Sequence, residues 1–343
     1  MDEGLAWPLR VRAWDAALAS VRGYLRGEGL REVSTRVRVE AVALEPWIEP
    51  IASADRWLAT SPELEMKRLL AEGSGSIFQI AHVFRSAERG ARHSEEFHLI
   101  EWYRVAEAGE ARGSSAYVEV IADVEAVVAA VFEAVFEAVG QELGLARPAR
   151  LAWRRVPLLE LMSETLGASL AGDEDAAALA PLLARVRSEG GLGLGPGAAS
   201  PQDHELAALL AWTELFSLWS DLYLDPWLEA RGSIGVHVLD FPRYLAALAE
   251  HRGDGKSAAR FESHVRGVEL ANGYRELRDP DEQGRRFERV AAMRRLYGQR
   301  ELPQPRRFIE VLDRLPPCAG VALGLDRLIA LACGRQRLDA IAL

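Results

Sequence analysis

Residues 84–103 read FRSAERGARHSEEFHLIEWY, and this stretch decides the fold. Ile77–Arg85 (IFQIAHVFR) and Glu96–Tyr103 (EFHLIEWY) both alternate with period two and are rich in β-branched and aromatic residues, the pattern of strands. The ten residues between them are charged and contain glycine, so two antiparallel strands joined by a long polar loop are expected. In the second strand Phe97, Leu99, Glu101 and Tyr103 fall on one face, which then carries a ring, a carboxylate and a phenol. Arg85, Arg89, Arg92 and His93 lie in the loop and its first edge. A cationic flap over such a floor suits a polyphosphate nucleotide beside a cationic small molecule. A carboxylate on an otherwise apolar face costs free energy unless it is paired or used, which argues against a plain solvated hairpin.

With its pattern FRSAE…H…EF…EWYR, the stretch resembles motif 2 of class II aminoacyl-tRNA synthetases, in their lysine branch. It is more similar still to the family of elongation factor P lysine (β-lysine) ligases, truncated paralogues of lysyl-tRNA synthetase. The resemblance runs from about residue 10 to the last residue. It implies an α+β fold, the class II synthetase catalytic domain, with an antiparallel β-sheet flanked by helices. Residues 1–343 are then one domain with a helical insertion at about 115–225 and no anticodon-binding domain.

Composition agrees with such a domain. The 343 residues are 49% hydrophobic, enough for a large core. No apolar run of 18 residues is free of charges and breakers, and the first residues hold no signal core, so neither membrane association nor export is expected. Two cysteines, Cys318 and Cys333, cannot make a disulfide framework, and a reducing cytoplasm is the expected home. A net charge of −10 argues against a broad nucleic-acid surface.

Along the chain, residues 9–29 have the apolar spacing of a helix ending at Gly29, followed by a strand from Leu30 to Val37. The resemblance makes these motif 1, the dimer-forming element, with Arg36 standing where the family has proline. The few residues ahead leave no room for the oligonucleotide-binding barrel of lysyl-tRNA synthetases, so no anticodon-dependent tRNA binding is expected. Residues 56–75 start with a short strand; then Ser61 caps a helix, Pro62 takes its first position and Glu63 its first turn. Helices are expected over Val118–Val139, Asp173–Ser188 and 203–221, with Trp212, Phe216 and Trp219 as core. Gly190–Ser200 reads as a glycine-rich linker, and 234–242 as a buried strand stopped by Pro242.

Two further stretches carry chemistry. In 260–277, Glu262, Glu269 and Glu276 are spaced seven apart on mostly apolar segments, which suggests a divalent ion or a cationic ligand. A straight strand would point Glu269 and Glu276 to opposite faces, and Asn272-Gly273 could supply the correcting bend or bulge. In 320–334 a glycine-rich strand enters a helix with Arg327 in its first turn, where the helix dipole disfavours a cation and an anionic ligand is a reasonable partner.

The resemblance implies a role for each position. Arg85 and Arg327 would be catalytic. ATP would lie on Arg85, Ser86, Ala87, Glu88, His93, Ser94, Phe97, Glu269, Leu270, Gly324 and Arg327, with adenine between Phe97 and Arg327. Mg²⁺ would sit on Glu262 and Glu269. The amino acid, lysine or (R)-β-lysine, would meet Ser61, Pro62, Glu63, Glu101, Tyr103, Asn272, Glu276 and Ala322, the last being alanine as in the ligases, where synthetases carry glycine. The implied reaction is formation of an aminoacyl-adenylate and its transfer to a lysine of elongation factor P by a homodimer. Departures stand at Ala87, where the family has glutamate, and at Ser94-Glu95, where it has Asn-Pro. They keep two other readings open: an adenylating paralogue for another amine-bearing acid, and a non-catalytic amino-acid-binding regulator.

Overall fold

The computed structural model describes residues 4–107, 109–110, 112–190 and 201–343. The expected linker therefore lies, from residue 191 onward, outside the described residues. Apolar spacing at Trp14, Ala17, Val21 and Leu25 makes helix α1 (Trp7–Gly27), and all four are buried. Gly29 ends it at φ 81°, a left-handed turn that lets the Leu30 N–H reach back to the Leu25 carbonyl. Of the strand expected over Leu30–Val37, only β1 (Arg31–Glu32) forms. Its ladder stops because the Thr35 N–H is taken by the Gln79 side chain, at 3.1 Å, instead of by backbone.

Strands β2 (Arg38–Val39), β3 (Ala52–Ser53) and β4 (Arg56–Leu58) make a small sheet in the order β2-β4-β3. Helix α2 (Glu63–Ala71) follows; Pro62 takes its N-cap position instead of the first helical one, and Ser61 Oγ accepts the Glu63 N–H at 3.0 Å. Then come β5 (Ile77–Phe84), β6 (Glu96–Val105), α3 (Ser114–Val135, running on into a π turn at Phe136–Gly140), β7 (Trp153–Pro157) and α4 (Leu158–Leu166). Helix α5 (Ala176–Ser188) is capped by Asp175, α6 (His204–Trp219) by Asp203, and α7 (Asp225–Glu229) ends the helical region. Strands β8 (Gly235–Pro242), β9 (Ser257–Val265) and β10 (Val268–Arg275) lead to α8 (Pro280–Leu296) and α9 (Arg306–Ile309). The described chain ends with β11 (Cys318–Gly324), α10 (Leu325–Ala332) and a short turn.

The main sheet has eight strands in the order β1-β5-β6-β11-β10-β9-β8-β7. Only the outer pairs β1–β5 and β7–β8 are parallel, and the five inner pairings are antiparallel. One face is buried under α1, α3 and α10 in a core containing Trp14, Trp102, Val127, Val131, Phe261 and Leu328. Full burial of each such side chain contributes roughly 1.5–3 kcal/mol. The back of β6 is fixed to this layer by Asp123, buried in α3. It accepts from Trp102 Nε1 at 3.0 Å, Tyr24 OH at 2.8 Å and Arg104 at 2.6 and 2.7 Å. The span expected as a helical insertion is not helix throughout: α3 belongs to the main layer, and β7 joins the sheet edge. Helices α4–α7 form a second core around Trp212 and Trp219. Among the described residues no helix is long and apolar enough to cross a membrane, and both cysteines are buried and free.

Candidate active site

The sheet face away from α1 and α3 carries the chemistry, and strand register arranges it in rows. Glu101 on β6 lies opposite Ala322 on β11, Ala322 opposite Asn272 on β10, and Asn272 opposite Glu262 on β9. The next row is Tyr103, Gly320, Tyr274 and Arg260. The register of β10 slips between Glu269 and Ala271, so the bulge falls at Leu270 and not at Asn272-Gly273. This extra residue puts Glu269 on the same face as Asn272, opposite His264 on β9, and so beside Glu262. Glu276 follows the end of β10, where its N–H donates to the Cys318 carbonyl at 3.1 Å.

Two compartments result. The first is an open cavity of about 190 Å³ under the 86–95 loop. It brings together Arg85, Glu88, His93, Ser94, Phe97 and, from the sheet and α10, Glu269, Leu270, Asn272, Ala322, Gly324 and Arg327. Arg85 is anchored by Nε donating to the Thr60 carbonyl at 3.2 Å, pairs with Glu88 at 3.4 Å, and holds its guanidinium 5.1 Å from the Phe97 ring centre. Phe97 and Arg327 line the same cavity, with Arg85 beside the Phe97 ring. Arg327 turns towards the loop: it donates to His93 Nε2 at 2.9 Å, to the Glu269 carbonyl at 2.9 Å and to the Arg92 carbonyl at 3.3 Å. Those carbonyls offset the unfavourable helix dipole at this first-turn cation. Burial, with the Arg327 charge beside it, pushes the His93 pKa below the usual imidazole range, so this ring is neutral and can accept.

Ser86 and Ala87 do not line the cavity. Ser86 pairs through its backbone with Glu49, and Ala87 sits at φ 64°, where a residue with a Cβ is strained. The Ala87 N–H donates to Glu95 Oε1 at 3.0 Å, and Glu95 also holds Arg89 at 2.9 Å. Glu95, which replaces proline of the resembled motif, therefore ties the loop to itself. Asp326 was also missed from sequence: its carboxylate accepts the His98 N–H at 2.7 Å and pins the start of α10 to β6.

Glu262 is buried, with Arg260 at 2.7 Å and His264 at 3.8 Å. Burial opposes its ionisation, but His264 and Arg260 outweigh that and hold its carboxyl below the ordinary range. Among the described residues no group of three or more His, Cys, Asp or Glu side chains is gathered to cage a metal. The pair Glu262 and Glu269 fits a hard divalent ion that takes its remaining ligands from phosphate and water, which is how Mg²⁺ is usually held.

The second is a buried cluster of polar side chains behind Asn272. Glu101, 1% exposed, accepts from Ser61 Oγ at 2.6 Å and from Tyr103 OH at 3.1 Å. Burial, reinforced by nearby Glu63, raises its pKa to about 8. Glu276, also 1% exposed, is raised to about 8 by burial, although Lys67 works against the rise. Glu63 accepts from Tyr274 OH at 3.1 Å and from Lys67 Nζ at 2.5 Å. Pro62 stands at the N-cap of α2, next to Ser61 and Glu63. Lys67, Tyr274 and Gly320 were not singled out from sequence. A Cβ at Gly320 would lie 2.2 Å from the Tyr103 ring and 2.7 Å from Glu276 Oε1, so glycine there is what lets both side chains cross the strand.

Comparison with known proteins agrees with this geometry. A family model described as tRNA synthetases class II (D, K and N) matches residues 11–343. The elongation factor P–(R)-β-lysine ligase of Pectobacterium atrosepticum is 32% identical over 94% of this chain and 90% of its own length. That of Vibrio vulnificus is 32% identical over 97% and 94%, and a homologue of the ligase from Aquifex aeolicus is 29% identical over 95% and 96%. The chain belongs to the class II tRNA synthetase family of the D, K and N type.

Proposed function

We propose that this protein is an ATP-dependent ligase that activates lysine or (R)-β-lysine as an aminoacyl-adenylate and transfers it to a lysine of elongation factor P. The observation that carries this reading is the buried pair Glu101 and Glu276, flanked by Tyr103 and Asn272, behind a cavity edged by Arg85 and Arg327. Such a pocket can take a side-chain ammonium at depth and leave the substrate carboxylate at Arg85. The names of the full-length relatives support elongation factor P as acceptor.

The chemistry is an in-line attack. A substrate carboxylate oxygen bonds to the α-phosphorus of ATP, the bond to the bridging oxygen breaks, and pyrophosphate leaves. Arg85 holds the α-phosphate and the attacking carboxylate, while His93 and Arg327 flank the γ end, so the protein's work is positioning and charge neutralisation. Glu262 and Glu269 would hold Mg²⁺, which when bound would supply further neutralisation of the phosphate charge. The acceptor lysine, having lost a proton, then attacks the acyl carbon and AMP departs. A homodimer in the cytoplasm, without anticodon-dependent tRNA binding, belongs to the same proposal.

The test is ATP–pyrophosphate exchange with α-lysine, (R)-β-lysine, (S)-β-lysine and other amino acids. Exchange that depends on a lysine isomer supports the reading. No exchange with any of them defeats it.

A further inference from the structure

The amine pocket contains a lysine of its own. Lys67 is 1% exposed, one helical turn after Glu63, with Nζ 2.5 Å from Glu63 Oε1 and ion-paired with Glu276 Oε2. The rings of Tyr274 and Phe308 stand 5.2 and 5.9 Å from the ammonium. The groups around it come from several elements: Glu63 from α2, Glu101 and Tyr103 from β6, Tyr274 and Glu276 from β10 and its end, and Cys318 from β11, with Glu45 beyond Tyr274. Three buried carboxyl groups, Glu63, Glu101 and Glu276, share one buried ammonium, so the pocket keeps acceptors for further cations. A diamino acid brings two ammonium groups, and its carboxylate is assigned elsewhere, to Arg85. The pocket also offers an open acceptor. Glu276 Oε1 is buried with no hydrogen-bond partner and points over Gly320, beside Tyr103. A buried carboxylate oxygen left unpaired is costly unless a charge nearby offsets it or a ligand completes it.

The geometry points to Lys67 as a positioning residue that holds the Glu63 and Glu276 carboxyl groups in place around one buried cation, shaping the pocket so that it admits a substrate with two ammonium groups. This rests on the functional reading above and adds to it the device that makes the site selective for a diamine. Burial alone would depress the Lys67 pKa, but Glu276 and Glu63 more than reverse that, so it stays charged throughout the working pH range. Without it, the two carboxyl groups would lose their shared partner, Glu276 would keep its proton to higher pH, and the pocket would hold an incoming ammonium poorly.

The experiment compares wild type, Lys67→Met, Lys67→Arg, and Lys67→Ala with and without methylammonium chloride. KM and kcat for the amino acid and for ATP are measured by exchange from pH 6.5 to 9. Lys67→Met is expected to raise the amino-acid KM at least tenfold at pH 7, to leave the ATP KM within about twofold, and to move the acidic limb of the profile at least one pH unit higher. Its preference for lysine over 2-aminohexanoate, which lacks the side-chain amine, should fall at least tenfold. Lys67→Arg should recover part of the loss, and methylammonium should recover part of it in Lys67→Ala. A uniform loss of rate at every pH with unchanged KM and preference would overturn the inference, as would wild-type behaviour.

A second readout needs no activity. The melting temperature of ligand-free Lys67→Met should drop further below wild type as pH rises from 6 to 9, because Glu276 must ionise without its ammonium partner. A constant difference would also overturn the inference. If the wild type is silent with every lysine isomer, the functional reading fails, and this pH-dependent difference decides the role of Lys67 separately.

Discussion

Glu101→Gln is the sharpest perturbation of the amine pocket. Glu101 accepts only from two neutral donors, Ser61 and Tyr103, and its pKa of about 8 means that it is mostly protonated in the free protein at pH 7. Binding a substrate ammonium requires the ionised form. One pH unit below the pKa, ionisation costs about 1.4 kcal/mol, a tenfold loss of affinity. Glu276 has a pKa of about 8 as well. With both groups titrating, the amino-acid KM should climb by up to about two decades per unit as pH falls below 8, and level off above it. Replacing Glu101 by glutamine removes one of the two groups, so the slope should fall to about one decade per unit. At pH 8.5, where both carboxylates of the wild type are ionised, the lost ion pair should raise KM by roughly 2–5 kcal/mol, at least about 30-fold. Exchange kinetics at pH 6.5, 7.5 and 8.5, with saturating ATP, measure both effects. A wild-type KM that stays flat over this range would refute the reasoning, and so would an unchanged slope in the variant.

The same raised pKa values bear on stability. A carboxyl whose pKa is higher folded than unfolded binds more protons in the native state between about 4.5 and 8, so stability falls as pH rises through that window. In ligand-free protein Glu101→Gln should therefore gain stability relative to wild type from pH 5 to 8, read as a growing difference in urea midpoint. Arg327→Ala removes donors to His93 and to the carbonyls of Arg92 and Glu269 and should raise the ATP KM about 10- to 150-fold, the equivalent of roughly 1.5–3 kcal/mol for charged hydrogen bonds, with little change in the amino-acid KM. Gly320→Ala drives a methyl into the Tyr103 ring and Glu276 and should cost roughly 1–3 kcal/mol in urea unfolding, with loss of amino-acid binding before loss of ATP binding. Asp123→Ala removes the shared acceptor of Tyr24, Trp102 and half-buried Arg104, which keeps Glu28 and Glu119 as partners, and should lower stability by roughly 1–3 kcal/mol, while the folded fraction keeps its ATP KM.

Much of this site is legible because alternation and local chemistry write it into short stretches. The hairpin formed by β5 and β6, the acid-bearing face of β6 and the glycine-rich entry to α10 all follow from residues within a few positions of one another. What is misread depends on distant pairing. The bulge at Leu270 is a matter of register against β9, and no local turn residue marks it. The strand expected to Val37 stops at Glu32 because Gln79, more than 40 residues on, takes over the bonding. Lys67 looks like an ordinary lysine four residues after a glutamate on an amphipathic helix, a spacing normally found on surfaces. Its signal lies in its neighbours: Leu64, Met66 and Leu70 are buried with it, while Glu65 and Arg68 take the half-exposed polar face of that turn. Glu95 is legible as a departure from the resembled motif, but its grip on Ala87 and Arg89 needs the loop's closed shape.

Transfer of an activated lysine to a protein is the reaction that sets this ligase apart from a tRNA-charging enzyme. Its most direct test is the intact mass of purified elongation factor P after incubation with this protein, Mg-ATP and (R)-β-lysine or α-lysine. Addition of one aminoacyl group at a single lysine is expected, dependent on ATP and abolished by Arg85→Ala. An elongation factor P of unchanged mass, under conditions where the same preparation carries out lysine-dependent pyrophosphate exchange, would contradict it.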